Sequence, residues 1–183
     1  MALLREKESQ ASKALELQIL TATRPGEVMG ATWDEFDIKS KAWTISAERM
    51  KASKEHTIPL SNRAIEILKS LPRACDFVFP SPTLKKPMTT AAGMKLIKEI
   101  LPGVTAHGMR SIFRDWAADQ TAFPREVIEH ALAHQLKDKA EAAHLRSDLM
   151  PKRAKLMKAW AEYCNHATSD KDNVTPTNKG TKA

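Results

Sequence analysis

A single tyrosine, Tyr163, stands in 183 residues, and aromatic residues make up only 5% of the chain. A core built from this sequence must therefore lean on Leu, Ile, Ala, Val and Met. Cysteine is nearly missing too. Cys75 and Cys164 lie far apart and outside any metal-ligand spacing, which excludes a disulfide scaffold or a cysteine-based zinc module. With no signal-peptide pattern, free thiols in a reducing cytoplasm are expected. No run approaches the roughly eighteen apolar residues that a membrane helix needs, so no membrane partner is expected.

What is present is apolar content of 42%, enough for one domain with its own core, and a surplus of positive charge. The formal net charge is +7, which favours a polyanionic partner. Many soluble domains carry such a charge without binding nucleic acid, so the surplus alone decides nothing.

Apolar residues at Ala11, Leu15 and Ile19 and at Leu17 and Leu20 predict a helix over 9–20. "TRPGEV" (23–28) breaks it, with Pro25 suited to the first turn of a new helix. "AWTIS" (42–46) and "HTIPLS" (56–61) alternate and carry β-branched residues, predicting two strands joined by the lysine-rich "AERMKASKE". Ser61 is a candidate cap for the next helix, and "DFVFPSP" (76–82) reads as a short extended piece. From residue 89 the chain reads as successive helices with breaks at Pro102-Gly103, Pro124 and Pro151. The prediction is a mainly α domain with a small antiparallel β-sheet over 1–166. A polar tail, 167–183, is expected to be disordered. Because the chain opens inside a helical stretch, it is expected to be part of a longer protein.

Four of the six histidines, His107, His130, His134 and His144, fall between 107 and 144. Arg24 lies at the break before Pro25, Lys51 between the two strands, and His107 and Arg110 form "HGMR", at i and i+3 on one helix face. Singly, each reads as an ordinary solvated or packed residue. Together, two arginines, a lysine and two histidines make a poor hydrolytic metal site and a good phosphate site. A guanidinium fork grips two phosphate oxygens. Two forks with imidazole donors suit the extra charge of a phosphoryl transition state, and a lysine suits protonation of a departing 5′-oxygen. His130 and His134, spaced i, i+4, have a spacing at which two imidazoles can share a zinc ion, but no glutamate stands between them and no third ligand is evident. No metal and no cofactor are expected.

"TATRPGEV", "AERMKASKEHTIPLS", "HGMRSIFRDWA" and "ALAH" followed by "EAA" resemble, in order and spacing, the catalytic domain of tyrosine recombinases of the phage-integrase kind. The resemblance covers roughly residues 10 to 166. It implies the DNA breaking-and-rejoining fold of that family and site-specific DNA integration or recombination. By resemblance, Arg24 and Arg110 match the two arginines of the site. Lys51 matches the hairpin lysine that acts as general acid, and His107 the histidine of the His-x-x-Arg block. His134 matches the later histidine at the scissile phosphate, and Glu27 an acidic position that braces the site. Such enzymes clamp duplex DNA, attack a phosphodiester with a tyrosine and hold a 3′-phosphotyrosyl link that a 5′-hydroxyl reverses, without ATP or metal. The amino-terminal DNA-binding domains of the family are expected to be absent from this chain. The resemblance also implies self-association on DNA and a DNA-associated cytoplasmic protein of bacterial or phage origin.

The departure falls at the nucleophile. The family's tyrosine lies ten positions after the later histidine, in an "EAAY" pattern, and here that pattern reads "EAAH", with His144 in the seat. Three readings follow. His144 is a loss-of-function replacement that leaves DNA binding intact; or His144 itself attacks, giving a phosphoramidate; or Tyr163 substitutes from the last helix. The first ranks ahead, because imidazole is shorter than a phenol and misplacement by about 1 Å costs ~100-fold. Tyr163 ranks last, since "AW" and "YC" around it have the spacing of core contacts. A reading from another class is a DNA-binding module that keeps the phosphate pocket for grip alone. Trp33, Trp43, Trp116 and Trp160 are expected in the core, Arg114 and Arg125 are possible phosphate contacts, and "PKRAKLMK" is either a DNA-facing or a solvated basic face.

Overall fold

Two serines start the helices that frame the molecule. The Ser9 hydroxyl accepts from the Ser12 backbone N–H at 3.1 Å while the Ser12 hydroxyl accepts from that of Ser9, a reciprocal cap. The Ser61 hydroxyl accepts from Ala64 N–H at 3.3 Å. A computed structural model describes residues 1–100, 103, 106–134 and 149–166, the side chains of 106 and 107 excepted. Its helices are α1 Ala2–Arg5, α2 Gln10–Thr21, α3 Pro25–Met29, α4 Asn62–Lys69, α5 Thr90–Ile100, α6 Ala106–Gln120, α7 Arg125–Ala131 and α8 Met150–His166.

Helix α2 is the hub, packed against α1, α3, α4, α5 and α8. Ala14, Leu17 and Leu20 enter the main core, while Leu15 joins a second cluster with Leu4, Leu96 and Ile97. A helix buried on more than one side has no single apolar stripe. Helix α8 closes the core with Leu156, Met157 and Trp160, whose indole N–H donates to the Ile19 carbonyl at 2.7 Å. The basic run at its start is not wholly solvated: Arg153 is buried and donates to the Thr57 carbonyl.

The sheet has three antiparallel strands in the order β1 Phe36–Asp37, β2 Ala42–Ile45 and β3 His56–Pro59. Trp43 pairs with Ile58 and Ile45 with His56, so Trp43, Ile45 and Ile58 face the core together. The sequence predicted two strands; β1, two residues long, is too short to show alternation, and is held by the Phe36–Trp43 ring stack at 5.0 Å. Three of the four tryptophans are buried as expected. Trp33 instead packs at the rim of the core, with the Arg73 guanidinium 4.6 Å over its ring. Part of the helical stretch expected between Pro124 and Pro151, residues 135–148, and the tail after 166 lie outside the described residues. Among the described residues no helix is long and apolar enough to cross a membrane.

Candidate functional site: a cationic cleft

Helix α2 ends at Ala22, whose backbone is left-handed at φ 51. The chain then runs extended through Arg24 before Pro25 opens α3. Glu27, one turn later and buried, fixes this corner twice. Its Oε2 accepts from the Arg24 backbone N–H at 2.7 Å and its Oε1 from Arg24 Nη1 at 2.8 Å. A charge-assisted pair of this kind sets where the guanidinium sits.

Lys51 is exposed on the segment joining β2 and β3. Arg49 anchors the root of that segment, donating to the Glu27 carbonyl at 2.6 Å and to Glu35 Oε1; the other Glu35 oxygen accepts from the Trp43 indole at 2.9 Å. The carbonyl contact ties the lysine hairpin to the helix that carries Arg24. Gly30 permits it, because a Cβ there would lie 2.9 Å from Arg49 Nη2.

Arg110 is buried in α6. Its Nη1 donates to the Ala22 carbonyl, its Nη2 to the Leu132 carbonyl at 2.6 Å, and Nη2 lies 3.5 Å from His134 Nε2. Burial pushes its pKa down to about 10, the Arg24 charge adds to the fall, and Glu27 opposes it. Helix α7 ends beside it. His134 N–H donates to the Glu129 carbonyl at 3.0 Å and Ala133 N–H to that of His130 at 3.1 Å, around Ala133 at φ 51. This double closure, with a left-handed residue between, is a Schellman turn. It folds the His134 ring back, so that Nδ1 lies 2.6 Å from Glu129 Oε2, while Glu129 Oε1 pairs with Arg114 Nε at 3.0 Å. Arg114, a candidate phosphate contact in the sequence, is thus engaged with a carboxylate.

Arg24, Lys51 and His134, with Ala52, Ser53 and Ala133, line one open cleft of about 570 Å³. Arg110 reaches it through His134 and Glu27 through Arg24. His107 has its backbone in the first turn of α6, but its side chain lies outside the described residues, as does all of His144. Tyr163 is stacked on Trp160 and packs tilted against Trp116, with ring centroids at 5.6 and 5.3 Å, and does not line the cleft. His130 faces the His56 ring at 6.3 Å while His134 faces Glu129, so the i, i+4 pair diverges. Among the described residues no group of three or more His, Cys, Asp or Glu could hold a metal ion. Sequence reasoning missed Arg49, Glu129 and the carbonyl partners of Arg110. Glu129 precedes His134 by five positions, a spacing at which helical residues do not meet, and only the reversal at Ala133 joins them.

Residues 2–144 match the Phage integrase family. Prophage integrase IntA of Escherichia coli (strain K12) is 40% identical over 158 residues, covering 83% of this chain and 38% of that protein. The integrase of Enterobacteria phage P4 is 27% identical over 171 residues, covering 82% and 39%. The chain therefore spans about two fifths of the length of these relatives. Among solved structures, the integrase from mycobacterium phage Brujita superposes with a TM-score of 0.65 at 23% identity, over 83% of this chain and 52% of that one. A lambda integrase dimer bound to a COC′ core site gives 0.53 at 18%, over 79% and 44%. The fold, a mainly helical body with a small antiparallel sheet, is that of these recombinases, and the chain belongs to the phage integrase family as a tyrosine-recombinase catalytic domain.

Proposed function

We propose that this chain is the strand-exchange part of a site-specific DNA integrase, and that its cleft receives one phosphodiester of duplex DNA. The observation that carries this reading is the convergence of Arg24, Lys51 and His134, from three segments remote in sequence, on one cleft with Arg110 against it. The relatives' names as integrases, and a structural neighbour that is a lambda integrase dimer bound to a core site, support duplex DNA as partner and self-association on it. Their sources, a bacterium and its phages among them, support a bacterial or phage origin and a DNA-associated place in the cytoplasm.

In this reading Arg24 and Arg110 neutralise the phosphate, and His107 and His134 donate to its oxygens. Lys51 protonates the departing 5′-oxygen, and Glu27 holds Arg24 in place. Losing one such preorganised donor costs about 10²–10³ in rate. His144 occupies the nucleophile position. An imidazole there does not make the 3′-phosphotyrosyl link, so the chain binds DNA and does not cleave it. That substitution also favours a second reading, a DNA-binding module that uses the pocket for grip.

The test is covalent capture. The chain and its His144→Tyr variant are incubated with nicked attachment-site duplex in EDTA, and protein–DNA adducts are resolved on denaturing gels. An adduct from the variant alone is expected. Binding by both with an adduct from neither moves the assignment to the module. An adduct from the unmodified chain overturns the reading of His144 as a lost nucleophile. Affinity should fall steeply with salt, with a log–log slope of about −0.9 for each phosphate neutralised. Salt-indifferent binding removes DNA as the partner.

A further inference from the structure

Glu129 is a buried carboxylate behind the cleft to which the roles above give no task. Its Oε1 receives the Arg114 guanidinium at 3.0 Å, and Oε2 lies 2.6 Å from His134 Nδ1. With a guanidinium on one oxygen, the other is left as an acceptor, so the proton of that short contact belongs to Nδ1. Which ring nitrogen of a histidine carries the proton is set by the hydrogen bond made at the other. Nε2 points away from Glu129, 3.5 Å from Arg110 Nη2, and His134 lines the cleft. In a neutral ring held this way, Nε2 carries a lone pair.

We propose that Glu129 is a positioning residue that fixes neutral His134 as the Nδ1–H tautomer, so that His134 donates to a phosphate oxygen only after taking up a second proton on Nε2. The proton comes from solvent, no covalent bond is broken, and one proton enters for each phosphate engaged. Among the described residues the charged groups around the ring are Glu129 on α7, Arg110 and Arg114 on α6, Arg24 at the start of α3 and Lys51 on the hairpin. An arriving phosphate brings negative charge beside Nε2, where the added proton sits. Phosphate binding and protonation of His134 are thereby linked. The linkage rests on the phosphate-cleft reading; the tautomer stands on the Glu129–His134 geometry alone.

Two measurements on the full chain separate those parts. Long-range nitrogen–proton NMR correlations, at a pH where the ring is neutral, should show His134 with its proton on Nδ1. E129L should move it to Nε2, and E129Q, whose amide oxygen still accepts, should keep it on Nδ1. A ring found as Nε2–H in the unmodified chain, or unchanged in E129L, overturns the proposal whatever DNA does. Binding of a mixed-sequence duplex oligonucleotide at fixed ionic strength should weaken as pH rises, by at most about tenfold per pH unit, the limit for one proton. H134Q and E129L should each flatten that dependence. A slope unchanged in H134Q overturns the linkage, whereas a chain that fails to bind the duplex at any pH overturns the integrase reading and leaves the tautomer result intact.

Discussion

The Arg110 guanidinium donates to the Ala22 carbonyl, eighty-eight positions away in sequence, and with its other nitrogen to the Leu132 carbonyl. Both carbonyls belong to helix ends that turn through a left-handed alanine, Ala22 after α2 and Ala133 after α7. Arg24 follows the first turn and His134 the second. One buried side chain therefore joins the two corners that aim two of the cleft's side chains, which is a structural task as well as an electrostatic one.

Replacing Arg110 tests this double attachment. R110A leaves two buried carbonyls without their donor, at about 1–3 kcal/mol each. Urea unfolding should lose ~3 kcal/mol. R110K keeps a positive charge, but a compact ammonium does not reproduce the planar two-point fork. It should cost less stability yet still speed amide exchange at Ala133 and His134, whose N–H groups close the α7 turn. Exchange unchanged in R110K would mean that the turn holds itself.

Acid should weaken the fold through His56. This imidazole is buried beside His130 and Arg153, and its pKa is pushed down to about 3, first by burial and then by the Arg153, His130 and Arg110 charges; a hydrogen bond to the Ala131 backbone opposes the fall. The unfolded chain takes up this proton near the ordinary value of 6.5, the folded chain only near 3. Between those values the unfolded state binds more protons, so stability is full above the upper one and falls as pH drops, by up to about 1.4 kcal/mol per unit. H56Q, which keeps an N–H for the Ala131 carbonyl, should flatten melting temperature against pH over that window.

Much of this was legible in the chain. Helix α2, the lysine hairpin, the Ser61 cap and the break at Pro25 follow from periodicity and capping chemistry, which are local. Arg24, Lys51 and His134 were legible as a set because their polar blocks interrupt otherwise regular elements, and the cleft brings those three together. Arg49 and Glu129 were not. Each is a charged residue on a short helical turn, where composition predicts a solvated face, and each meets its partner only through tertiary closure. Left-handed alanines leave no mark in a sequence, because glycine is the residue that announces such turns.

Glu16 offers a test of the framework away from the cleft. It is buried in α2 between Arg5 and Arg63, with contacts of 2.7 and 2.9 Å, and so ties α1 and α4 to the hub. Burial by itself raises the carboxyl pKa, but the hydrogen bonds and charges of Arg63 and Arg5 outweigh it and hold the group below its usual range. Its stabilisation is therefore present above the ordinary carboxyl value and is lost as pH falls below it. Breaking a fully buried pair costs about 3–5 kcal/mol. Both arginines are about a third exposed, so E16Q should cost ~2 kcal/mol at neutral pH once screening is allowed for. The gap between E16Q and the unmodified chain should shrink in acid; a gap constant with pH would show that the pair contributes through packing alone.

The two left-handed alanines should respond differently to glycine. An L-residue with a Cβ in this conformation costs roughly 1–2 kcal/mol, which glycine relieves. Glycine also frees the unfolded chain, returning about 0.4–1 kcal/mol of that gain. Ala133 is only partly buried, at the cleft wall, so A133G should raise the urea midpoint by an amount equivalent to ~0.5 kcal/mol. Ala22 is buried in the main core, and removing its methyl forfeits about 0.8 kcal/mol of apolar burial. A22G should therefore be neutral or destabilising despite the same backbone angle. If A133G instead loses stability, the Ala133 methyl is holding the turn that carries His134, and the backbone strain there is smaller than its φ implies.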